Sequence, residues 1–320
     1  MKFLCPLLLI AGCSTQQYDV RRGGEPMDSA SMVARLHDVG FPLLVAAAEW
    51  CPFEQEPTYG FLLKNDDIGK NQQREESEHT VFVSYVHPRL PAALAGLAPG
   101  ERVVQVNARR VTEYGAEDVM ILVRRMAVAR IQPLQLEVMR ARDRRTLTMW
   151  AVPACQFTLQ LVESDQINGI TDGRRIGVAT EAMRFLRSDD ELAWVLAHEI
   201  AHNVLSHVQN AKLSAMLSAF LGATVGSSVA PPVSPPPRSL ESQADYVGSY
   251  IMTRAGYDLQ AIKRLWRRVE DLPSRSLRPE VIMTHPTTAE RLAALEETLK
   301  EIEEKRAHGE SLQPVLEKTQ

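Results

Sequence analysis

The chain has no excess of positive charge, few cysteines and, at its start, no apolar run long enough to cross a bilayer. Its 320 residues carry 36 lysines and arginines against 40 aspartates and glutamates, a formal net charge of −4, which gives no indication of nucleic-acid binding. The first apolar run, residues 3–10, is much shorter than the roughly 20 residues that a membrane-spanning helix needs. With a hydrophobic content of 45%, a chain of this length can bury more than one core, which predicts two domains and a tether.

The first 13 residues are typical of a bacterial secretion signal. Lys2 precedes the apolar run, and Leu9-Ile10-Ala11-Gly12-Cys13 resembles the cleavage site of bacterial lipoproteins. We predict a signal peptide over residues 1–12, lipidation of Cys13 and a lipid-anchored polar linker over residues 13–28, with Ser14 favouring the outer membrane. The protein would then be anchored in the cell envelope and face the periplasm. The alternative is a buried N-terminal strand.

The remaining cysteines predict one disulfide. Loss of Cys5 with the signal and acylation of Cys13 leave only Cys51 and Cys155, in an oxidising compartment where we expect them to pair. The bond would join an N-terminal helical segment, residues 29–57, to the first strand of the domain that begins at residue 154. Two buried free thiols are the alternative.

Two histidines one helical turn apart, with a glutamate beside the first, indicate a zinc site. His198, Glu199 and His202 follow Ser188, which with Glu191 forms the capping pattern of a helix start. At about 100° per residue, both imidazoles project from nearly the same side of that helix and can meet one Zn²⁺. Glu199 is rotated away from that side, where it can take a proton from water and return it to the leaving amine.

A catalytic zinc ion usually has a third protein ligand, and Glu241 is the best candidate. It opens a second predicted helix in which Asp245 follows four residues later on the same face. Asp245 would accept the free ring N–H of a ligand histidine and so fix its tautomer. The alternative is that both residues are acidic side chains on the solvent-exposed face of the helix, with no role in a site. The sequence therefore predicts one Zn²⁺ per chain, held by His198, His202 and Glu241.

Together, these residues resemble the zinc metallopeptidase family, number forty-eight, that includes the CAAX prenyl endopeptidases and the HtpX-type proteases. The likeness covers about residues 155–306 and includes Thr284-His285-Pro286 and Glu290-Arg291. It implies a gluzincin fold with Glu241 as the third ligand. It also implies that His285 lies near the zinc, as a transition-state donor or a masking fourth ligand, and that Arg291 lines the cleft. A helix-entry residue before Pro286 is the alternative reading of His285.

A hairpin is predicted just before the histidine helix. Residues 166–171 and 174–180 flank Asp172-Gly173, a dipeptide typical of tight hairpin turns. Gluzincins similar to this chain hold substrate backbone along such an edge by strand addition.

The middle of the chain resembles a PDZ domain. Val81 to Val86 reads as a strand, and residues 91–107 match the bacterial helix-turn-strand pattern, with departures at Glu101 and Ala108. Residues 117–129 would form the long groove helix, and residues 134–140 with 146–152 the last strand pair. Tyr59-Gly60-Phe61 is either a degenerate carboxylate-binding loop or a local turn. The groove would bind C-terminal peptides or only pack against the protease.

The predicted fold class is α+β: a mainly helical gluzincin-type metallopeptidase domain with a small edge sheet, and an inserted β-rich PDZ domain. We expect the PDZ-like domain over residues 58–153, the metallopeptidase domain over 154–308 and a tail over 309–320. Within the second domain, the charge-free residues 213–230 and the prolines that follow favour a lid or an amphipathic segment over the cleft, with a membrane span as the weaker alternative.

The sequence predicts a zinc-dependent endopeptidase that cleaves misfolded or misassembled cell-envelope proteins, with its PDZ domain capturing or regulating substrates. Glu199 would be the base, and His285 or Arg291 would steady the oxyanion. The alternative is a chaperone-like or adaptor lipoprotein with a latent zinc site. An intact Glu199 argues against that alternative, because a purely structural site needs no base there.

Overall fold

Two hydrophobic cores divide the part of the chain that the computed structural model describes, which is residues 27–51, 56–66, 80–129, 132–165, 167–205, 238–270 and 289–315. One core is built from residues between Tyr59 and Met149. The other joins the N-terminal helix to residues from Ala154 onward, with additional contributions from Tyr85 and Leu90. The first core therefore belongs to a segment that interrupts the second.

The first core lies under an antiparallel sheet in the order β1-β2-β3-β5-β6, with β4 paired to β3. A short helix, α2, and a longer one, α3, accompany the sheet. Apolar residues alternate along β2 and β5, as expected for strands with one buried face. The elements are β1 (Phe61–Asn65), β2 (Val81–Val86), α2 (Pro91–Leu94), β3 (Arg102–Val106), β4 (Arg109–Arg110), α3 (Ala116–Ala129), β5 (Leu134–Arg140) and β6 (Asp143–Met149).

The last strand begins three residues earlier than the sequence indicated. β5 and β6 pair from Arg140↔Asp143 to Leu134↔Met149 across a two-residue turn, in which Ala141 has a φ of 54°. Such a tight turn forces the partner strand to start directly after it. Val152, predicted to end this strand, instead pairs with Thr58 in an isolated bridge.

The second core combines helices with a three-stranded sheet in the order β7-β9-β8. β7 runs parallel to β9, and β8 pairs with β9 as the predicted antiparallel hairpin. β8 is therefore an edge strand. The elements are α1 (Ser29–Ala46), β7 (Thr158–Val162), β8 (Gly169–Thr171), β9 (Arg175–Ala179), α4 (Thr180–Phe185), α5 (Asp189–Val204), α6 (Arg238–Arg254), α7 (Gln260–Glu270) and α8 (Ala289–His308).

Helix α1 is tied to the second core by a buried arginine and by a disulfide. Arg35, only 2% exposed, donates to Asp189 at 2.9 Å and to the carbonyl oxygens of Met183 and Leu186 at 3.1 Å. A short 3₁₀ turn, Ala48–Trp50, leads to Cys51, which is bonded to Cys155 with a Cα–Cα distance of 5.6 Å. The N-terminal segment is thus part of the same core as the residues after 153.

The two cores meet along α1. The Tyr85 hydroxyl of β2 donates to the Asp38 carboxylate, and a ring nitrogen of His87 lies 3.3 Å from the Asp38 carbonyl oxygen. Phe41 stacks on Tyr85 and meets His87 edge-on. The PDZ-like sheet is therefore docked on α1 through specific polar and aromatic contacts.

Among the described helices, none is both long and apolar enough to cross a membrane. Cys13 and the charge-free segment over residues 213–230 lie outside the described residues. The predictions made for them stay predictions.

Candidate metal centre

Helix α5 presents the predicted histidine motif to the interior. Ser188 caps the helix by accepting from the Glu191 backbone N–H at 3.2 Å, and three acids in the first turn complement the helix dipole. The cap fixes where the helix begins and therefore which of its residues face the interior. From there to Asn203 most residues are buried, so His198, Glu199 and His202 all lie out of bulk solvent.

Three potential ligand residues converge between α5 and α6. The Nε2 atoms of His198 and His202 are 3.0 Å apart, and the two Glu241 carboxylate oxygens lie 3.4 Å and 3.3 Å from them. Ligand atoms that bind one zinc ion tetrahedrally at about 2.0–2.1 Å lie about 3.3–3.4 Å apart. The three residues are at least 94% buried and form a group able to hold a metal ion. Their chemistry and spacing fit zinc.

Asp245 lies behind the first histidine. Its Oδ1 is 3.0 Å from His198 Nδ1, the ring nitrogen that faces away from Glu241. Burial alone would lower the pKa of His198, but hydrogen bonds to Asp245 and Glu241 outweigh it and raise the pKa to about 10. Burial likewise opposes the charge on Asp245, whose pKa is nevertheless lowered by His198 and Arg291. Metal binding must therefore displace a proton that this environment holds firmly.

Arg291 completes a buried ionic network. Its Nε and Nη2 each donate to a different oxygen of Asp245 at 2.7 Å, and its Nη1 lies 3.0 Å from Glu241. The guanidinium also stacks 5.0 Å from the centre of the Trp266 ring. Burial opposes the charge on Arg291, yet these carboxylates raise its pKa. The network thus links α8 to both acids of α6.

This geometry gives Arg291 a different place from the one that the sequence suggested. From the family resemblance, we expected it to line the cleft and to be one of two residues that could steady the oxyanion. In the structure, its Nε, Nη1 and Nη2 atoms face carboxylates, and its side chain is 4% exposed. An arginine engaged in this way orients the ligand Glu241 and its neighbour Asp245, so we assign it a positioning role.

Glu199 lies on the side of α5 that faces the edge strand β8. A Cβ atom placed at Gly169 of β8 would lie 3.8 Å from Oε1 of Glu199 and only 2.6 Å from Val195. Further along β8, Thr171 donates to the Asn203 side chain at 2.6 Å. The glutamate predicted to be the base is therefore held next to the edge strand β8.

Two glycines that were not predicted from the sequence allow the close approach of β8 and of α6 to α5. Gly169 lets β8 approach Glu199, and Gly248 lets α6 approach α5, since a Cβ there would lie 3.2 Å from the Ala197 carbonyl and the His198 nitrogen. An isolated glycine inside a helical or strand pattern is the signal that would have pointed to both. His285, predicted near the zinc, lies outside the described residues.

Comparison with known families agrees with this arrangement. The sequence model of peptidase family M48 matches residues 133–299, more than half of the chain. The chain belongs to peptidase family M48. A PDZ domain model matches residues 56–139, so the M48 chain also carries a PDZ domain. The two matches overlap in β5, which the structure places in the PDZ sheet.

A curated relative of the M48 chain is the mitochondrial metalloendopeptidase OMA1 of Schizosaccharomyces pombe (strain 972 / ATCC 24843). The two are 34% identical over 70 residues, which is 22% of this chain and 21% of the relative. The chain therefore spans about a fifth of the length of the curated relative that it matches. A solved structure, the HtrA3 PDZ domain bound to a phage-derived ligand (FGRWV), is 21% identical, covers 31% of this chain and 88% of its own, and has a TM-score of 0.25.

Proposed function

We propose that this M48 chain is a zinc-dependent endopeptidase that hydrolyses peptide bonds of misfolded or misassembled cell-envelope proteins. The observation that carries the proposal is the convergence of His198, His202 and Glu241, whose ligand atoms lie 3.0–3.4 Å apart, with Glu199 held beside an edge strand. A purely structural metal site has no use for a buried carboxylate next to its ligands or for an edge strand beside that carboxylate.

In the proposed reaction, His198, His202 and Glu241 hold the zinc ion. Bound there, zinc would polarise the scissile carbonyl and lower the pKa of water at the site. Glu199 accepts the proton of the attacking water and passes it to the nitrogen of the scissile peptide bond. The leaving group therefore departs as a neutral amine and not as an amide anion. Asp245 keeps His198 Nε2 directed at the metal by holding the opposite ring nitrogen, and Arg291 keeps both acids of α6 in place.

The edge strand supports a substrate that is an unfolded chain. Main-chain pairing along β8 would hold an extended peptide through groups common to all residues, which gives tolerance of sequence. A folded protein presents few such stretches, whereas a misfolded one exposes many.

The place of action is inferred from the N-terminus. Cleavage before Cys13 and its acylation would anchor the protein in the bacterial envelope, facing the periplasm, with the outer membrane favoured. Membrane fractionation of Cys13→Ser tests this part by itself, and a variant that stayed with the membranes would contradict it.

The PDZ domain supplies a second place for peptides. Its edge strand β1 and its long helix α3 border a groove suited to strand addition by a C-terminal peptide. We assign this groove a part in substrate capture or in regulation of the peptidase.

The test is cleavage of a reduced, unfolded model protein by the zinc-loaded chain, run beside Glu199→Gln. We expect fragments from the first and at least about a 100-fold lower rate from the second, because a general base of this kind contributes that much or more. Glu181→Gln, which alters an exposed acid of α4, is the matched control. No cleavage by the unaltered chain with one zinc ion bound would favour the latent, chaperone-like alternative.

A further inference from the structure

Exposed apolar side chains gather at one place on the PDZ domain. In the part of the chain that the structure describes, five large apolar side chains are exposed, and three of them, Ile121, Val128 and Trp150, lie on α3 or beside its end. Val128 and Trp150 are 58% and 56% exposed. Single exposed apolar residues are normal on a protein surface, whereas a group of them marks a surface that binds a partner.

The spacing along α3 places these residues on the side opposite the PDZ core. Ile121, Arg124 and Val128 follow one another in steps of three and four residues, which is the repeat of one helix face. The residues of α3 that are buried in the core on the other side are Val119, Val123 and Ala127. The exposed side of the helix can therefore bind a partner without disturbing the packing of the domain.

Trp150 lies beside the C-terminal end of the same helix. It directly follows β6, and it lines a pocket of about 280 Å³ together with Met126 and Ala127 of α3. Its exposed indole therefore extends the apolar surface of the helix. The outer face of α3 is the name we use for the surface formed by Ile121, Arg124, Arg125, Val128 and Trp150.

The charge on the outer face of α3 is positive. Arg124 and Arg125 are both exposed, and the helix carries no acidic residue from Ile121 to Ala129, because its two acids lie in the first turn. Arg124 contacts the Glu56 carboxylate at 2.9 Å, yet 47% of its side chain stays exposed. Apolar and cationic side chains thus share one surface.

The surface of a membrane matches this combination. Tryptophan is enriched at the boundary between lipid headgroups and acyl chains, because its ring is apolar and its N–H is polar. Arginines beside it can donate paired hydrogen bonds to the phosphates of anionic lipids. A helix that lies flat on a membrane offers both kinds of side chain, and a fluid surface requires no shape complementarity from the protein. The lipid anchor proposed at Cys13 would hold the domain close to such a surface.

We propose that the outer face of α3 binds the surface of a membrane that contains anionic phospholipids. Ile121, Val128 and Trp150 enter the boundary between headgroups and acyl chains, and Arg124 and Arg125 contact phosphate oxygens. The face is small, so the chain alone binds weakly, and an anchor that keeps it at the membrane makes the contact persistent. The inference goes beyond the proposed peptidase function and needs no catalysis.

Binding is tested by sedimentation of the unacylated chain 14–320, which contains every residue of both cores, with lipid vesicles. The vesicles are phosphatidylcholine alone or phosphatidylcholine mixed with an equal amount of phosphatidylglycerol. We expect at least about tenfold stronger binding to the anionic vesicles, since each arginine near such a surface contributes about fivefold. Added salt should weaken this binding.

Substitutions locate the contact. Trp150→Ser should weaken binding to the anionic vesicles about tenfold, and Arg124→Gln combined with Arg125→Gln should do so by a similar factor. Leu94→Ser and Arg142→Gln alter exposed residues of the same kinds elsewhere on the PDZ domain. These matched controls should leave binding unchanged.

Trp150 also reports its own position by fluorescence. Its side chain is more exposed than those of the other three tryptophans, which are Trp50, Trp194 and Trp266. Anionic vesicles should shift the emission to shorter wavelengths, and lipids brominated on their acyl chains should quench it. Trp150→Phe, which keeps an aromatic ring, should retain most of the binding but lose both signals.

The outcomes decide between a membrane and other partners. Absence of vesicle binding, equal binding to neutral and anionic vesicles, or binding that survives Trp150→Ser and the arginine substitutions overturns the proposal. Dimers that Trp150→Ser dissociates, without any vesicle binding, would assign the face to a second copy of the chain. Specific vesicle binding by a chain that cleaves nothing supports the membrane contact and rejects only the peptidase function.

Discussion

Asp245 Oδ1 lies 3.0 Å from His198 Nδ1, so a carboxylate on α6 decides which imidazole nitrogen of α5 faces the metal position. The same carboxylate accepts two hydrogen bonds from Arg291 of α8. Three helices thus meet at one side chain that is not itself among the three converging ligands.

Replacing Asp245 with asparagine should weaken zinc binding by about 10- to 100-fold, because partners of this kind behind a ligand histidine fix its tautomer and raise its basicity. The measurement is competition with a chelator of known affinity. Asp143→Asn, at an exposed turn of the PDZ sheet, is the control. Unchanged zinc affinity in Asp245→Asn would remove the tautomer argument.

Replacing Arg291 with glutamine should lower the free energy of unfolding by about 3–5 kcal/mol, since it removes a buried cation that contacts two buried carboxylates. Arg291→Lys keeps the charge but loses the fork that engages both oxygens of Asp245, so it should recover only part of the loss. Zinc affinity should fall in parallel with stability. Denaturant unfolding checks this, with exposed Lys300→Gln on the same helix as the control. A glutamine variant with full stability and affinity would contradict the positioning role.

Gly248→Ala should separate the two helices that carry the ligands. The added Cβ would lie 3.2 Å from the backbone of Ala197 and His198, so α6 must move away from α5. We expect a cost of about 1–3 kcal/mol in unfolding free energy and weaker zinc binding. Ser242→Ala, on the same helix, should leave zinc binding unaltered. Zinc titration of both variants distinguishes a shift of the ligands from a general loss of stability.

Loss of the Cys51–Cys155 bond should destabilise the chain substantially. The two cysteines are 104 residues apart, and in the chain-entropy model a loop of about 100 residues contributes about 4.7 kcal/mol. Denaturant unfolding with and without reductant measures the effect, and a thiol count should rise by two on reduction. Equal thiol counts under both conditions would reject the bond.

The contact between His87 and α1 should weaken in acid. Burial lowers the pKa of His87 from its ordinary value of 6.5 to about 4. As the pH falls from 6.5 towards 4, the unfolded chain binds a proton at this residue that the folded chain does not, so the free energy of unfolding decreases over that window. Thermal unfolding at a series of pH values checks this, and His87→Gln should flatten the profile relative to a variant of the exposed His308.

The features of the site that were expected from the sequence and that the structure brings together are local in sequence. His198 and His202 are four residues apart, and so are Glu241 and Asp245. Each pair lies on one face of its segment if that segment is helical, and capping and apolar periodicity indicate helices directly. The hairpin around Asp172-Gly173 is local for the same reason. The family resemblance then predicted that the two helices contribute ligands to one metal site.

What the sequence did not show depends on how distant elements pack. Nothing near Arg291 in the chain indicates that it pairs with both acids of α6, and the close approach at Gly248 exists only once α5 lies against it. The cavity of about 490 Å³ that Phe41, Phe61 and Arg124 line draws its walls from five separate segments. The position of β6 was misjudged because the hydrophobic pattern extends to Val152, while the tight turn at Ala141 fixed the pairing.

The peptidase core is assembled from two stretches of chain with the PDZ domain between them. The disulfide joins the point at which the chain leaves this core for the PDZ domain to the point at which it returns. During synthesis, the PDZ segment emerges whole and can fold at once, whereas α1 must wait for partners more than 100 residues downstream. The two junctions lie side by side, with Cα atoms 5.6 Å apart at the disulfide, so the PDZ domain leaves and rejoins the peptidase core at one place.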